Sequence, residues 1–170
     1  MRHKAIGVAL ALLAGLAQAQ AEAPCMLVFG QGRNLPQAGE PDWDDLNQRF
    51  NAAVVTALQA NGRQVHATTL SSRQVDPQAS GLALLAQADK LGCSTLTETT
   101  IFLDGQTLVL RLRVYPLLPE LGDGSAIVGL RIGTPVFVTQ RDLSTTAMNR
   151  IKPELLAAQM AAEYLQHDRR

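Results

Sequence analysis

The sequence is poor in the residues from which metal centres, redox sites and nucleotide-binding loops are built. Its 170 residues include only two cysteines and three histidines. The cysteines lie too far apart to form a Cys-x-x-Cys pair and have no histidine cluster beside them, which disfavours thiol redox catalysis and zinc binding. A Gly-Lys-Ser/Thr phosphate loop is also missing. We therefore expect no cofactor and no metal.

Aromatic residues and net charge are also scarce. Aromatics make up 4% of the chain, so the core must consist mainly of Leu, Val, Ile and Ala. Basic and acidic residues number 15 each. This balance does not indicate binding to nucleic acid or to an anionic membrane surface.

The N-terminus has the three parts of a secretory signal peptide. Met1–Lys4 is cationic, residues 5–16 are apolar and uncharged, and Ala17-Gln18-Ala19 is a small-x-small cleavage site. The apolar run is shorter than the roughly 20 residues that a membrane span needs. We therefore expect cleavage after Ala19, with a cut after Ala21 as the alternative. Residues 20–170 would form a single globular domain in the periplasm, without a transmembrane segment.

Cys25 and Cys93 are the only cysteines. In an exported protein such an even pair predicts one disulfide, with two free buried thiols as the alternative. The bridge would stabilise the fold by roughly 4 kcal/mol in the chain-entropy description. Lipid attachment at Cys25 is not expected, because the preceding Glu22-Ala23-Pro24 contains a charge and a proline where lipoprotein processing needs small or apolar residues.

The periodicity of apolar residues predicts an α/β (α+β) fold with a mixed sheet of about five strands. The expected element order is β-α-β-α-β-β-β-α, with three helices packed on the sheet. Residues 26–29 read as a strand buried on both faces, and an amphipathic helix runs from its N-cap Asp42 to Gly62. A second strand is expected in 63–70 and a second helix in 80–91.

The second half of the chain reads as three strands and a helix. An Asp104-Gly105 turn joins the strands 94–103 and 106–117 into a hairpin. Residues 116–125 form a turn region, and a strand in 126–139 is interrupted near Gly133 and Pro135. The last helix covers 145–166, with a start at Lys152 as the alternative because of Pro153. Its expected apolar face comprises Met148, Ile151, Leu155, Ala158, Ala162 and Leu165.

One group of basic residues is a candidate interaction patch. Arg111 and Arg113 alternate with Leu108, Leu110, Leu112 and Val114, which indicates a strand with one buried face and one charged face. Arg131 could join them from the neighbouring strand. The alternative is that these arginines only keep an outer sheet face soluble.

Other polar or glycine-rich groups have simpler structural explanations. Asp42, Asp44 and Asp45 lack the spacing of a calcium loop and fit helix capping. Gly30-Gln31-Gly32 lacks the third glycine of a dinucleotide loop and fits a turn. His66 fits a solvated strand position and has no catalytic partners in sequence. We therefore expect no catalytic residues.

The order of elements also resembles a known domain. Leu27-Val28-Phe29, a long helix ending Gln59-Ala60-Asn61-Gly62-Arg63, a second helix ending Ala88-Asp89-Lys90-Leu91-Gly92, and the Asp104-Gly105 hairpin follow one another. Residues 26–140 look like the α/β domain shared by the TolB N-terminal domain, the curli-secretion lipoprotein CsgG and the penicillin-binding-protein activator LpoB. The long last helix and the missing lipobox depart from those proteins, and no site residues carry over.

These observations lead to one functional hypothesis and two rivals. The resemblance and the export signal imply a non-enzymatic interaction or assembly module of the bacterial cell envelope, whose partner is another envelope protein. The first rival is a periplasmic small-ligand-binding protein or small hydrolase. The second is an inhibitor or immunity-type protein. The oligomeric state does not follow from the sequence.

Overall fold

The computed structural model describes residues 25–34, 41–73, 76–147, 150 and 152–169. The expected signal peptide, its cleavage site and the residues before Cys25 lie outside the described residues, as do Met148 and Ile151. Within these ranges, every helix is too short or too polar to cross a membrane.

Strands and helices alternate in the first half of the described chain. In order, the elements are β1 (Cys25–Gln31), α1 (Trp43–Ala60), β2 (Val65–Leu70), α2 (Pro77–Leu91), β3 (Cys93–Asp104), β4 (Thr107–Leu121), β5 (Ile127–Ile132), β6 (Phe137–Ser144) and α3 (Pro153–His167).

The strands form one mixed sheet. Its spatial order is β2-β1-β3-β4, and both β5 and β6 pair with β4. β1 runs parallel to β2 and β3, whereas all pairs that involve β4 are antiparallel. The predicted α/β class with a mixed sheet and three helices is confirmed. The described residues contain six strands rather than five, because the segment around Gly133 and Pro135 divides the last predicted strand into β5 and β6.

Two hydrophobic cores hold the helices on opposite faces of the sheet. The larger core lies under α1 and α3 and includes Phe50, Met160 and Leu110. The smaller one lies under α2 and includes Leu84, Ala88, Leu96 and Leu117. Met26 and Val28 face the larger core, and Leu27 and Phe29 face the smaller one. This confirms the prediction of a strand buried on both faces.

The caps explain where the helices begin. The Asp42 side chain accepts hydrogen bonds from the backbone N–H groups of Asp44 and Asp45, at 3.0 and 3.1 Å, which confirms the predicted N-cap. α2 begins at Pro77, earlier than predicted, because Asp76 caps it and proline is well tolerated in a first helical turn. α3 begins at Pro153, which agrees with the later of the two predicted starts.

The predicted hairpin of two antiparallel strands is confirmed, but its loop residues and two other local predictions are wrong. The hairpin loop consists of Gly105 and Gln106, since Asp104 pairs with Thr107; Gly105 has a φ of +59° at the first loop position, which type II′ turns reserve for glycine. β4 continues to Leu121 through the predicted turn region, because its residues Leu117–Leu121 pair antiparallel with β5.

The third concerns α3, whose buried face differs from the predicted one except at Leu165, which is buried as predicted. Leu155 is exposed, as are Ala158 and Ala162. The buried residues of the helix are Ala157, Met160, Ala161, Tyr164 and Leu165.

The predicted disulfide is confirmed. Cys25 and Cys93 are bonded, with their Cα atoms 4.2 Å apart. They are register partners at the starts of the parallel neighbours β1 and β3. Both cysteines belong to the smaller core under α2.

Candidate functional site

The part of the sheet beyond α2 carries a row of polar side chains. Leu96 and Leu117 belong to the core under α2. Because side chains alternate along a strand, Glu98 and Thr100 of β3 point to that same face. Arg113 and Arg111 are their register partners on β4 and share the face. On β3 the α2 core ends at Leu96, so the polar row continues past it along β3 and β4.

Three arginines surround Glu98, which is buried. Its Oε1 lies 3.1 Å from Arg33 Nη2 and 3.9 Å from Arg111 Nη2. Its Oε2 lies 3.6 Å from Arg113 Nη1 and accepts a hydrogen bond from Tyr115 Oη at 3.0 Å. We call these five residues the arginine cluster. One carboxylate thus serves three guanidinium groups, and the cluster has an excess of positive charge.

The segment after β1 brings Arg33 to this face. The side chain of Asn34 accepts a hydrogen bond from the Leu103 N–H (2.8 Å) and donates one to the Leu103 carbonyl (3.3 Å). The guanidinium carbons of Arg33 and Arg111 lie 5.2 and 5.3 Å from the centroid of the Phe102 ring, a cation–π arrangement. The ring and the carboxylate together gather cations that would otherwise repel one another.

The cluster also changes the acidity of its members. Burial lowers the pKa of Arg111, and the charges of Arg33 and Arg113 lower it further against the opposing effect of Glu98. Burial raises the pKa of Tyr115, to which the nearby Glu98 carboxylate adds. Burial is the largest cause of the lowered pKa of Arg111, and the repulsion by Arg33 and Arg113 acts in the same direction.

The structure brings together two of the three arginines singled out in the sequence. Arg111 and Arg113 both belong to the arginine cluster. Arg131 does not, because its register partner Leu118 lies an odd number of positions from Arg111 and therefore on the opposite face. Arg111 is also not a solvated surface residue, since it is only 9% exposed. Whether these residues bind a partner stays a prediction.

Sequence reasoning missed Arg33, Glu98 and Tyr115. Arg33 follows β1 in a loop, and its position over β3 depends on the strand order and on Asn34. A usable signal existed for the other two: Glu98 is a lone carboxylate in the middle of an apolar and threonine-rich strand, and Tyr115 continues the Arg111–Arg113 alternation.

A second surface feature borders the cluster. From the end of β4 to β6, exposed apolar side chains follow one another; we call the set the apolar ribbon, and it comprises Leu121, Ile127, Val128, Ile132, Val136 and Val138. β5 and β6 pair with β4 on one side and form the edge of the sheet. Val138 is the register partner of Arg113, so the ribbon reaches the cluster directly.

The remaining candidates have structural roles. A Cβ at Gly30 would lie 3.0 Å from Asn51 Cβ of α1, so this glycine permits close helix–strand packing rather than a turn. His66 is half-buried in β2 opposite Leu27. The Asp44 carboxylate accepts hydrogen bonds from Ser71 and Ser72. Among the described residues, no three His, Cys, Asp or Glu side chains gather as a metal site would require.

A small cleft lies where the chain leaves β1 and β2 toward opposite faces of the sheet. α/β proteins often bind ligands at such a position. The cleft is lined by Gly30, Asp44, Asn47, Gln48 and the end of β2, and it encloses about 190 Å³. Ligand pockets usually begin at roughly 300 Å³. A groove of about 330 Å³ between α1 and β2 has no charged residue in its lining.

Comparison with protein-family models found no match, and comparison with curated proteins found none either. Among solved structures, the chain aligns with the lipoprotein GNA1162 from Neisseria meningitidis at 12% sequence identity. The alignment covers 84% of this chain and 94% of that chain, with a TM-score of 0.40. The resemblance to the TolB, CsgG and LpoB domains stays a prediction, since no family model matches.

Proposed function

We propose that this chain is a non-enzymatic protein-interaction module of the bacterial cell envelope that acts in the periplasm. The observation that carries the proposal is the apolar ribbon. It contains six of the eight large apolar side chains that are strongly exposed in the described parts of the chain. Large apolar side chains that are exposed and concentrated in one region of a domain are typical of a protein-binding site.

The position of the ribbon supports the same function. β5 and β6 form a sheet edge, and an edge strand offers unpaired backbone N–H and C=O groups to an extended segment of another protein. Such pairing combines backbone hydrogen bonds with burial of alternate apolar side chains. The export signal and the disulfide framework fit an envelope location.

The polar site does not favour catalysis. Glu98 is the buried carboxylate of the arginine cluster, and its two oxygens are already occupied by Arg33 and Tyr115. A general acid or base needs a carboxyl group that is free to exchange a proton with substrate. A small-ligand-binding function would have to use the cleft beside Asp44 or the uncharged groove on α1. An inhibitor or immunity-type protein remains compatible with the ribbon, and the nature of the partner would identify it.

Site-specific photo-crosslinking tests the proposal. A p-benzoylphenylalanine residue at Ile127 should crosslink a discrete envelope protein in living cells. The matched control carries the same residue at Leu155 of α3, because both positions are 68% exposed. The substitution Ile127→Ser should weaken co-purification of the crosslinked protein, whereas Leu155→Ser should not. Equal crosslinking at both positions, or none at Ile127, would contradict the proposal.

A further inference from the structure

The positive charge of the arginine cluster is only partly neutralised. Three guanidinium groups share one carboxylate, and only Arg33 is within hydrogen-bonding distance of it; Arg111 and Arg113 stand 3.9 and 3.6 Å away. Arginine normally engages a carboxylate through two parallel N–H donors. Glu98 cannot supply that geometry to three arginines at once. The cluster therefore retains positive charge, and its guanidinium groups have N–H donors that can bind another anion.

Unpaired polar atoms lie at the base of the cluster. Arg111 Nε and Nη2 and Thr100 Oγ1 are buried without a hydrogen-bond partner among the described residues. Thr100 and Arg111 are direct register partners on β3 and β4. Buried donors of this kind are normally satisfied in a native structure. The neighbouring side chains of Thr100 and Arg111 therefore lack hydrogen-bond acceptors at the base of the cluster.

Two of the three arginines are accessible from solvent. The side chains of Arg33 and Arg113 are 42% and 32% exposed, compared with 11% for Arg111. An incoming anion can therefore reach Arg33 and Arg113 first, while Arg111 lies beneath and adds its charge. Val138 and Gln140 are the register partners of Arg113 and Arg111 on β6. The cluster consequently lies beside the edge strand of the apolar ribbon and on the same face as Val138.

We propose that the arginine cluster binds a carboxylate side chain of an extended, acidic peptide segment that lies along β6. This inference rests on the proposed function and specifies its partner: a segment that combines apolar side chains for the ribbon with an Asp or Glu for Arg33 and Arg113. Charge complementarity selects this occupant, since a second carboxylate reduces the excess positive charge that Glu98 leaves.

The probe for this site is a fluorescent hexaglutamate peptide, titrated into the purified, oxidised domain at low salt. Binding should weaken as salt is added. Arg113→Gln should weaken it about ten-fold, because a charge-assisted hydrogen bond is lost. Arg131→Gln should leave binding unchanged, since Arg131 lies on the opposite face of the same sheet. Arg113→Lys should retain part of the affinity, because it keeps the charge but not the planar fork.

The control experiments distinguish loss of binding from misfolding, and a peptide carboxylate from a small inorganic or organic anion. Thermal unfolding of each variant shows whether a loss of binding reflects misfolding, and Arg33→Gln, in a loop, provides a second test that does not alter a strand. Absence of hexaglutamate binding, or equal loss in Arg113→Gln and Arg131→Gln, would overturn the inference. Inorganic phosphate or acetate binding as tightly as the peptide would also overturn it, because the site would then be specific for small anions.

Failure here is distinguishable from failure of the proposed function. Hexaglutamate lacks apolar side chains, so its binding reports the arginine cluster alone, and Ile127→Ser should not affect it. Crosslinking at Ile127 reports the apolar ribbon alone. If a partner is crosslinked but hexaglutamate does not bind, the proposed interaction function is supported, and only the inferred preference for an acidic segment is wrong.

Discussion

The side chain of Asn47 pairs with the backbone of Ile101 as a neighbouring strand would. Its Oδ1 accepts a hydrogen bond from the Ile101 N–H, and its Nδ2 donates one to the Ile101 carbonyl, both at 2.8 Å. Asn34 does the same for Leu103. β1 ends before it reaches these residues of β3, so two asparagines continue its hydrogen-bonding pattern and fix α1 and the Arg33 loop to the sheet.

Asn47→Ala should destabilise the domain by about 2 kcal/mol or more, because it leaves the buried backbone groups of Ile101 unpaired. Chemical denaturation of the oxidised protein measures the loss. Gln48→Ala is the control, since Gln48 is the exposed neighbour on α1. A loss for Asn47→Ala that is no larger than that of the control would show that water replaces the amide.

Removal of the disulfide should lower the free energy of unfolding by roughly 4 kcal/mol, because the bridge closes a long loop between residues 68 positions apart. The double variant Cys25→Ala/Cys93→Ala and the reduced wild type should unfold at similar denaturant concentrations. A reducing agent should change the stability of the wild type and leave the variant unaffected. Two free thiols in protein purified without reducing agent would refute the bridge.

Both tyrosines of the chain should ionise above their ordinary pKa of about 10 in the folded state. Burial raises the pKa of Tyr115, with a contribution from Glu98, and burial raises that of Tyr164, with a contribution from Asp168. The resulting stability is complete below the unfolded pKa and is lost as the pH rises through the folded values. In an ultraviolet titration, the folded protein should form tyrosinate at a higher pH than the unfolded protein does. Tyr115→Phe and Tyr164→Phe assign the two transitions.

The carboxylate of Asp44 should stabilise the fold in the opposite pH range. Its burial acts to raise the pKa, but hydrogen bonds from Ser72 and Ser71 and the charge of Arg73 outweigh this effect and lower it. Its contribution is therefore present above the unfolded pKa of about 3.9 and is lost as the pH falls through the lower folded value. The stability difference between wild type and Asp44→Asn should be constant near neutral pH and shrink in acid. Ser71→Ala should reduce that difference.

The elements that were predicted correctly have one dominant local pattern. α1 combines a capping aspartate with an apolar stripe, and β4 alternates leucine with arginine, so each sequence permits one orientation. α3 does not, because alanine occurs on several of its faces, and the packing of Met160 and Tyr164 into the core shared with α1 decides which face is buried. The positions of the apolar side chains alone could not distinguish these faces.

The candidate site was predictable only in part for a related reason. Alternation along β4 placed Arg111 and Arg113 together, since it is a property of one strand. The participation of Arg33 depends on where β1 ends relative to β3, and the separation of Arg131 depends on the register between β4 and β5. Both depend on how separate strands align in the sheet, and the residue pattern within one strand does not reveal that alignment.

The central position of β1 has a consequence for the order of folding. β1 is the first described strand of the chain, but it lies between β2 and β3 in the sheet, and its partner Cys93 comes 68 residues after Cys25. Any N-terminal fragment that ends before β3 leaves β1, a mainly apolar strand, with an open edge, which favours aggregation. Closing so long a loop is slow compared with local helix formation. The sheet can therefore be completed only after most of the chain is available for folding.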